Sequence, residues 1–197
     1  MTSTDGARPD AGDASRRAAA IRLLALDVDG TLTDGRINIG PQGEAMKSFS
    51  VRDGFGLTLL REAGIRLAVI TARQSAIVEH RARELKFDEV RQGVGDKAAA
   101  LAALCADRGL GLAEAGFVGD DWPDLPAMLS AGFAASVADA AAEVRARAHW
   151  VSTAPAGSGA IRELAEFILR ARGEFDAALA RRLAPRPSTP AAEGGAS

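Results

Sequence analysis

The sequence predicts an α/β fold in which a Rossmann-like parallel β-sheet is sandwiched by helices. Short apolar segments bounded by turn residues alternate with longer segments of helical spacing, which is the pattern of parallel strands joined by crossover helices. The chain has 197 residues, of which 47% are hydrophobic and 25% charged, enough for one globular domain with a buried core. We therefore expect a single folded domain over residues 21–173.

Six segments are predicted to be strands because each is apolar and ends at turn residues. They cover residues 21–29, 66–71, 88–92, 115–119, 133–137 and 149–152. Helical spacing predicts helices at about residues 53–63, 75–86, 96–108, 123–131, 140–147 and 158–171. One insertion breaks the alternation: residues 34–50 place a Gly-Pro-Gln-Gly turn between two short alternating segments, which predicts a β-hairpin flap after strand 1.

Both ends of the chain are predicted to be tails. Residues 1–20 are rich in Ala, Asp, Gly and Ser, and the chain ends in APRPSTPAAEGGAS. Such compositions bury little apolar surface. We expect residues 1–20 to be disordered and residues 174–197 to be mostly a disordered tail.

Composition limits the class of partner. The net charge is −2, so no excess of positive charge attracts nucleic acid or an anionic membrane. One cysteine, Cys105, cannot form an intrachain disulfide, and two histidines provide no Cys/His zinc cluster. Residues 1–20 lack an apolar signal segment, and no run approaches the roughly 20 apolar residues of a membrane span. We expect a soluble, cytoplasmic protein that binds a small molecule or another protein.

The segment Asp27-Val28-Asp29-Gly30-Thr31 ends the first strand, at the sheet edge where parallel sheets bind ligands. Gly30 makes a bend into a loop plausible. One carboxylate can then attack phosphorus while the other protonates the leaving oxygen and later activates water. The alternative is that both aspartates only cap a turn.

Two further candidate residues are expected at the same edge of the sheet. Thr71 closes the second predicted sheet strand, where its hydroxyl can donate to a phosphoryl oxygen or cap the next helix. Lys97 begins a helix in a chain whose lysines are only Lys47, Lys86 and Lys97, against 21 arginines. A retained lysine suggests a compact ammonium placed against a pentacovalent phosphorane or the Asp27 carboxylate, although a solvated lysine is the alternative.

The segment Gly119-Asp120-Asp121-Trp122-Pro123-Asp124 follows another apolar strand. Magnesium takes a few carboxylate oxygens and waters in octahedral array, so Asp120 with Asp27 and the backbone carbonyl of Asp29 would form its site. We expect Asp121 and Asp124 to lie behind these ligands, and Asp124 is equally suited to cap a helix.

These four segments resemble, in order, the four motifs of the haloacid dehalogenase superfamily over about residues 21–171. The resemblance implies an Mg²⁺-dependent phosphatase in which Asp27 is the nucleophile, Asp29 the acid/base and substrate contact, and Thr71 and Lys97 catalytic partners. Neither usual insertion point is long enough for a cap domain. An open site of this kind needs a roof from a neighbouring subunit, which predicts an oligomer.

The hairpin and the run SVRDGFG (50–56) further resemble the capless 3-deoxy-D-manno-octulosonate 8-phosphate phosphatases, which are tetramers. Other matching runs are ITAR, QGVGDK and VGDDWPDLPAM. The resemblance implies a phosphorylated sugar acid as substrate, in lipopolysaccharide synthesis. It implies substrate contacts from Ser50, Val51, Arg52, Asp53, Gly54, Arg73, Arg81 and Lys97.

Arg81 shares a helical stripe with Ile77, Val78 and Leu85, where an arginine indicates an anion or a partner. Planar guanidinium groups can bind a carboxylate bidentately, although surface arginines are common in this chain. Two departures from the family pattern, Thr58 and the run AGSGAIRE (156–163), leave open a nonulosonate 9-phosphate as substrate. A catalytically idle binding subunit and phosphoryl transfer between sugars are the remaining alternatives.

Overall fold

The computed structural model describes residues 11–184, which fold around a six-stranded parallel sheet of order β5-β4-β1-β6-β7-β8. The sheet strands are β1 (Leu23–Leu26), β4 (Arg66–Ile70), β5 (Glu89–Arg91), β6 (Ala115–Gly119), β7 (Phe133–Ser136) and β8 (Trp150–Val151). All six predicted strands are present. The predicted α/β class with a parallel sheet is therefore confirmed.

Eight α-helices cover the two faces of the sheet within residues 11–184. They are α1 (Ala11–Ala20), α2 (Val51–Glu62), α3 (Ala76–Leu85), α4 (Lys97–Asp107), α5 (Leu125–Ser130), α6 (Ala142–Arg145), α7 (Ala160–Ala171) and α8 (Phe175–Leu183). The six predicted helices match α2 to α7, and the predicted helix over 123–131 begins with a short 3-10 turn, Trp122–Asp124, before α5.

Helix α1 corrects the expectation that residues 1–20 form a tail. Ala14 and Ala18, four residues apart, are buried in the fold. Arg17 donates a hydrogen bond to the Gly132 carbonyl oxygen at 3.0 Å, and it also pairs with Asp13. Small alanines let this helix pack closely despite its polar composition. Only residues 1–10 of the expected tail lie outside the described residues.

Helix α8 corrects the expectation for the other end of the chain. Ala178 is buried, and the guanidinium of Arg170 lies 3.5 Å from the centre of the Phe175 ring. Arg182 pairs with Glu62 of α2. These contacts attach residues 175–183 to the domain, and residues 185–197 lie outside the described residues.

Strand β1 occupies the middle of the sheet and divides the core in two. Leu23 and Ala25 belong to the cluster on one face, whereas Leu24 and Leu26 belong to the cluster on the other. Alternate side chains of a strand point to opposite faces, so a central strand with apolar residues on both faces is buried throughout. This burial fixes the position of the loop that begins at Asp27.

The predicted flap is a β-hairpin of β2 (Asn38–Gly40) and β3 (Gly43–Met46), paired antiparallel and separate from the main sheet. Ile39 is 78% exposed and Met46 is also exposed. No helix within residues 11–184 is long and apolar enough to cross a membrane.

Candidate active site

The loop after β1 carries the two predicted catalytic aspartates. Asp27 is buried, and its N–H donates to the Val118 carbonyl oxygen of β6 at 3.0 Å. Gly30 has a φ of +91°, and a Cβ at this position would overlap the carboxylate of Asp120. Only glycine therefore lets the two loops approach each other this closely.

Lys97, the first residue of α4, is buried between two carboxylates. Its Nζ lies 2.7 Å from Oδ1 of Asp27 and 2.6 Å from Oδ1 of Asp124. Burial alone would lower the pKa of Lys97, but the charges of Asp27 and Asp124 outweigh it and the pKa is raised. Lys97 is thus a charged member of the site, and the alternative of a solvated lysine is wrong.

Asp124 fixes the loop after β6. Its Oδ2 accepts hydrogen bonds from the N–H groups of Asp120 at 3.0 Å and Asp121 at 3.3 Å. Asp121 is exposed and accepts a hydrogen bond from the N–H of Trp122 at 2.8 Å. Asp124 therefore both positions Asp120 and holds Lys97, consistent with the predicted place of Asp124 behind the ligands.

The carboxylates of Asp27, Asp120 and Asp124 each have an oxygen within 4.8 Å of the others. Burial, followed by the nearby charge of Asp124, raises the pKa of Asp27 and raises the pKa of Asp120 to about 7. Lys97 pairs with Asp27 and Asp124, whereas no cation among the described residues pairs with Asp120. Because acids this crowded need a cation, the residues fit the predicted magnesium site.

The contacts that each carboxylate already makes indicate which of the three could bind a metal ion. Asp124 is committed to Lys97 and to two backbone N–H groups, whereas Asp120 accepts only from the Thr31 hydroxyl, at 3.0 Å, among the described residues. Asp27 and Asp120 are thus the carboxylates open to a metal. The predicted third ligand, the backbone carbonyl of Asp29, is two residues along the same loop.

Asp29 contacts the flap through Lys47, and neither Lys47 nor its partner Glu44 was among the predicted site residues. Oδ1 of Asp29 pairs with Nζ of Lys47, which also lies 2.9 Å from Oε1 of Glu44. Burial would lower the pKa of Lys47, but its hydrogen bonds to Asp29 and Glu44 outweigh this and the pKa is raised. The scarcity of lysine that singled out Lys97 applies equally to Lys47 and was the available signal.

Two residues after β4 complete the cleft. Thr71 is buried there, and its N–H donates to the Arg91 carbonyl oxygen at 3.0 Å. The side chain of Arg73 is 49% exposed, with Nε 3.6 Å from Oδ2 of Asp29. Thr71 and Arg73 therefore line the same cleft as Asp29.

The cleft has a volume of about 190 Å³. The residues that line it are Asp27, Asp29, Thr71, Ala72, Arg73, Lys97, Asp120, Asp121, Pro123 and Asp124. It brings together every predicted catalytic and metal-binding residue. It does not include the predicted substrate contacts of α2, which lie elsewhere in the chain.

Three of those α2 contacts have structural roles within the chain. Ser50 caps the start of α2 by accepting from the N–H of Asp53 at 3.3 Å. Asp53 is buried and accepts from the N–H groups of Gly159 at 3.2 Å and Arg162 at 2.9 Å, at the start of α7. Gly54 leaves the space that Arg81 occupies. The carboxylate of Asp53 therefore holds the start of α7, and its predicted contact with substrate stays a prediction.

The other predicted contacts remain predictions. Val51 is 82% exposed and Arg52 is also exposed, both on the outer side of α2. Arg81 is half-buried, pairs with Glu84 at 2.8 Å and lies 5.7 Å from the centre of the Phe49 ring. Arg81 therefore lies against α2 rather than in the cleft of its own chain.

No family model matches the chain. The 3-deoxy-D-manno-octulosonate 8-phosphate phosphatase KdsC of Yersinia pestis is 40% identical over 170 residues, which are 86% of this chain and 91% of that protein. The corresponding KdsC of Escherichia coli K12 is 38% identical and matches 86% of this chain and 90% of that protein.

Solved structures agree. The phosphatase of the same name from Moraxella catarrhalis, in complex with magnesium, phosphate and KDO, is 42% identical, with a TM-score of 0.84 over 87% of this chain and 98% of that one. The cobalt-bound deoxy-D-mannose-octulosonate 8-phosphate phosphatase of Haemophilus influenzae is 36% identical, with a TM-score of 0.79 over 81% and 93% of the two chains.

Proposed function

This chain belongs to the family of 3-deoxy-D-manno-octulosonate 8-phosphate phosphatases, and from that membership we propose that it hydrolyses 3-deoxy-D-manno-octulosonate 8-phosphate. The products are the free sugar acid and inorganic phosphate, and the reaction belongs to lipopolysaccharide precursor synthesis. One observation carries the proposal: Lys97 pairs with Asp27 and Asp124 in a buried cluster that also brings in the carboxylate of Asp120.

The proposed reaction has two steps. Asp27 attacks phosphorus and forms an aspartyl-phosphate while Asp29 donates a proton to the leaving sugar oxygen. Asp29 then removes a proton from the water that hydrolyses the aspartyl-phosphate. Lys97 and the Thr71 hydroxyl stabilise the charge that develops on the phosphoryl oxygens. Magnesium, held by Asp27, Asp120 and the Asp29 carbonyl, would offset the negative charge of the phosphate.

Substitution of the nucleophile tests this function. Asp27→Asn should abolish release of phosphate from any monoester, because an amide cannot form the aspartyl-phosphate. The assay measures release of phosphate from octulosonate 8-phosphate with magnesium present. Chelation of magnesium should likewise abolish phosphate release by the wild-type protein. Substantial turnover by the pure variant would exclude Asp27 as nucleophile. A wild-type chain that hydrolyses no phosphorylated sugar acid would instead support the idle binding subunit.

A second substrate is favoured by one specific observation. Thr58 stands where the family usually carries a basic residue, and its hydroxyl donates to the Gly54 carbonyl oxygen within α2 at 3.0 Å. Ser158 is the second departure, in the run AGSGAIRE (156–163). Fewer cationic contacts at these positions favour a nonulosonate 9-phosphate as the alternative. The ratio of kcat/KM for octulosonate 8-phosphate and nonulosonate 9-phosphates decides between them.

We also propose that the protein is a homotetramer whose neighbouring subunits complete the cleft, and that it acts in the cytoplasm. Exposed apolar side chains on the flap and at the start of α2, such as Ile39 and Val51, support an interface there. Light scattering at micromolar concentration tests the tetramer. Ile39→Asp should lower the oligomeric state, and Leu129→Asp, at an exposed leucine away from both regions, is the matched control. A monomeric wild-type protein with full activity would contradict the proposal.

A further inference from the structure

The ion pair between the flap and Asp29 has no part in the mechanism above. Lys47 is the flap residue that contacts Asp29, and its side chain is only 1% exposed. We propose that Lys47 is a positioning residue that fixes the orientation of the Asp29 carboxyl group through the flap. This inference rests on the proposed function, in which Asp29 transfers the proton.

Because the Lys47 ammonium is buried, its position depends on the carboxylates that pair with it. A desolvated ammonium is costly unless it is paired, and Lys47 pairs with both Asp29 and Glu44. The ammonium is paired on both sides only between these two carboxylates, so this is its favourable place. Asp29 is in turn contacted on both oxygens, since Arg73 lies 3.6 Å from Oδ2 while Lys47 contacts Oδ1.

The flap end of the contact is attached to the main domain. The Ser75 hydroxyl donates to Oε2 of Glu44. Ser75 also caps α3 by accepting from the N–H of Val78 at 3.4 Å, and it is buried. A continuous set of polar contacts therefore runs from Asp29 through Lys47 and Glu44 to the start of α3. It holds the flap at a fixed distance from the acid/base residue.

Proton transfer depends on where the Asp29 carboxyl group is held relative to the leaving oxygen of the substrate. A general acid must reach the leaving oxygen at hydrogen-bond length, and a displacement of about 1 Å can lower a rate by about 100-fold. Lys47 should therefore accelerate the step that needs a proton from Asp29. Steps that need no such proton should depend on Lys47 much less.

The test varies how much the leaving group needs a proton. Substituted phenyl phosphates of nearly equal size are used, from p-nitrophenyl to p-methoxyphenyl phosphate, together with octulosonate 8-phosphate. In Lys47→Met, kcat/KM should fall less than about fivefold for p-nitrophenyl phosphate, whose leaving group departs unprotonated, and about 100-fold for octulosonate 8-phosphate. The loss should grow steadily across the phenyl series. Lys86→Met, at an exposed lysine at the end of α3, should behave as wild type.

Two further variants keep the result decisive. Lys47→Met/Glu44→Gln leaves no unpaired flap carboxylate, so it provides the measurement if Lys47→Met does not fold. Asp29→Asn shows how loss of the acid itself depends on the leaving group. Equal losses for all substrates in the Lys47 variants, beside a leaving-group-dependent loss in Asp29→Asn, would overturn the inference and leave the proposed function standing. A uniform loss in Asp29→Asn would overturn both the inference and the acid role of Asp29.

Discussion

The catalytic cleft and the start of α2 differ in how completely one chain builds them. In the cleft, Lys97 and Asp124 are buried and paired with each other. At the start of α2 the polar Asp53 is turned inward to α7, whereas Val51 and Arg52 face outward. The difference teaches that one chain places the cleft residues by itself, whereas the exposed side chains at the start of α2 have no cleft of their own chain to line, as the proposed tetramer requires.

Removal of the buried Lys97 ammonium tests the catalytic cleft. It should have the largest effect on both turnover and stability. Lys97→Met leaves Asp27 and Asp124 buried without their cation. We expect kcat to fall by about 1,000-fold and the free energy of unfolding to fall by about 3 kcal/mol. Steady-state kinetics and urea unfolding measure the two, with Lys86→Met as the control. Retained stability would show that the cluster does not depend on Lys97.

The raised pKa of Asp120 gives a pH-dependent prediction. The pKa of Asp120 in the folded state is about 7, above the ordinary value of 3.8. As the pH rises, the unfolded chain therefore loses this proton at a lower pH than the folded chain does. Between about pH 4 and pH 7 the free energy of unfolding falls for this reason. Without metal, Asp120→Asn should therefore be more stable than wild type at pH 8, by up to about 4 kcal/mol. The difference should shrink toward pH 4. Thermal unfolding from pH 4 to 8 measures it, and a variant that is less stable at pH 8 would contradict the prediction.

Asp53 tests the other half of the comparison. Asp53→Ala removes the acceptor for two N–H groups at the start of α7, so the free energy of unfolding should fall by about 1–2 kcal/mol. Turnover of p-nitrophenyl phosphate should stay within about twofold of wild type once both proteins are folded. Asp176→Ala, at an exposed acid in the first turn of α8, is the control for stability. A large loss of kcat with unchanged stability would instead support the predicted substrate role of Asp53.

The smallest effect on the fold is expected at Arg52. Because the side chain is exposed, Arg52→Ala should change the free energy of unfolding by less than about 0.5 kcal/mol. If a neighbouring cleft uses this arginine, KM for octulosonate 8-phosphate should rise about tenfold, with little change for p-nitrophenyl phosphate. Equal kinetics on both substrates would limit the sugar contacts to residues of the cleft itself.

The sheet, its helices and the cleft were predictable because each depends on local pattern. The carboxyl ends of neighbouring parallel strands meet at one edge, so Asp27, Thr71 and Asp120 had to converge. Apolar strands bounded by turn residues located these ends to within about three residues. The match of four ordered segments then supplied the chemistry.

The sequence did not reveal contacts that depend on where distant segments pack. Helices α1 and α8 are short and lie next to the Ala-, Gly- and Pro-rich ends of the chain. They are held by a few buried alanines and arginine contacts, such as Arg17 to Gly132, that composition does not indicate. Asp53 of α2 can accept hydrogen bonds from the start of α7 only because α7 packs beside α2, and the sequence pattern does not indicate this packing. Lys47 was noticed only as one of three lysines, because its partners Asp29 and Glu44 become neighbours only when the flap folds over the loop.

The turn at Gly30 has a consequence for how the catalytic centre is assembled. A Cβ on residue 30 would lie 2.1 Å from Oδ2 of Asp120. The place of the Asp120 carboxylate therefore depends on residue 30 having only a hydrogen atom where other residues carry a side chain. Gly30→Ala would displace this carboxylate, so the arrangement of the cleft depends on a residue that contributes no functional group to it.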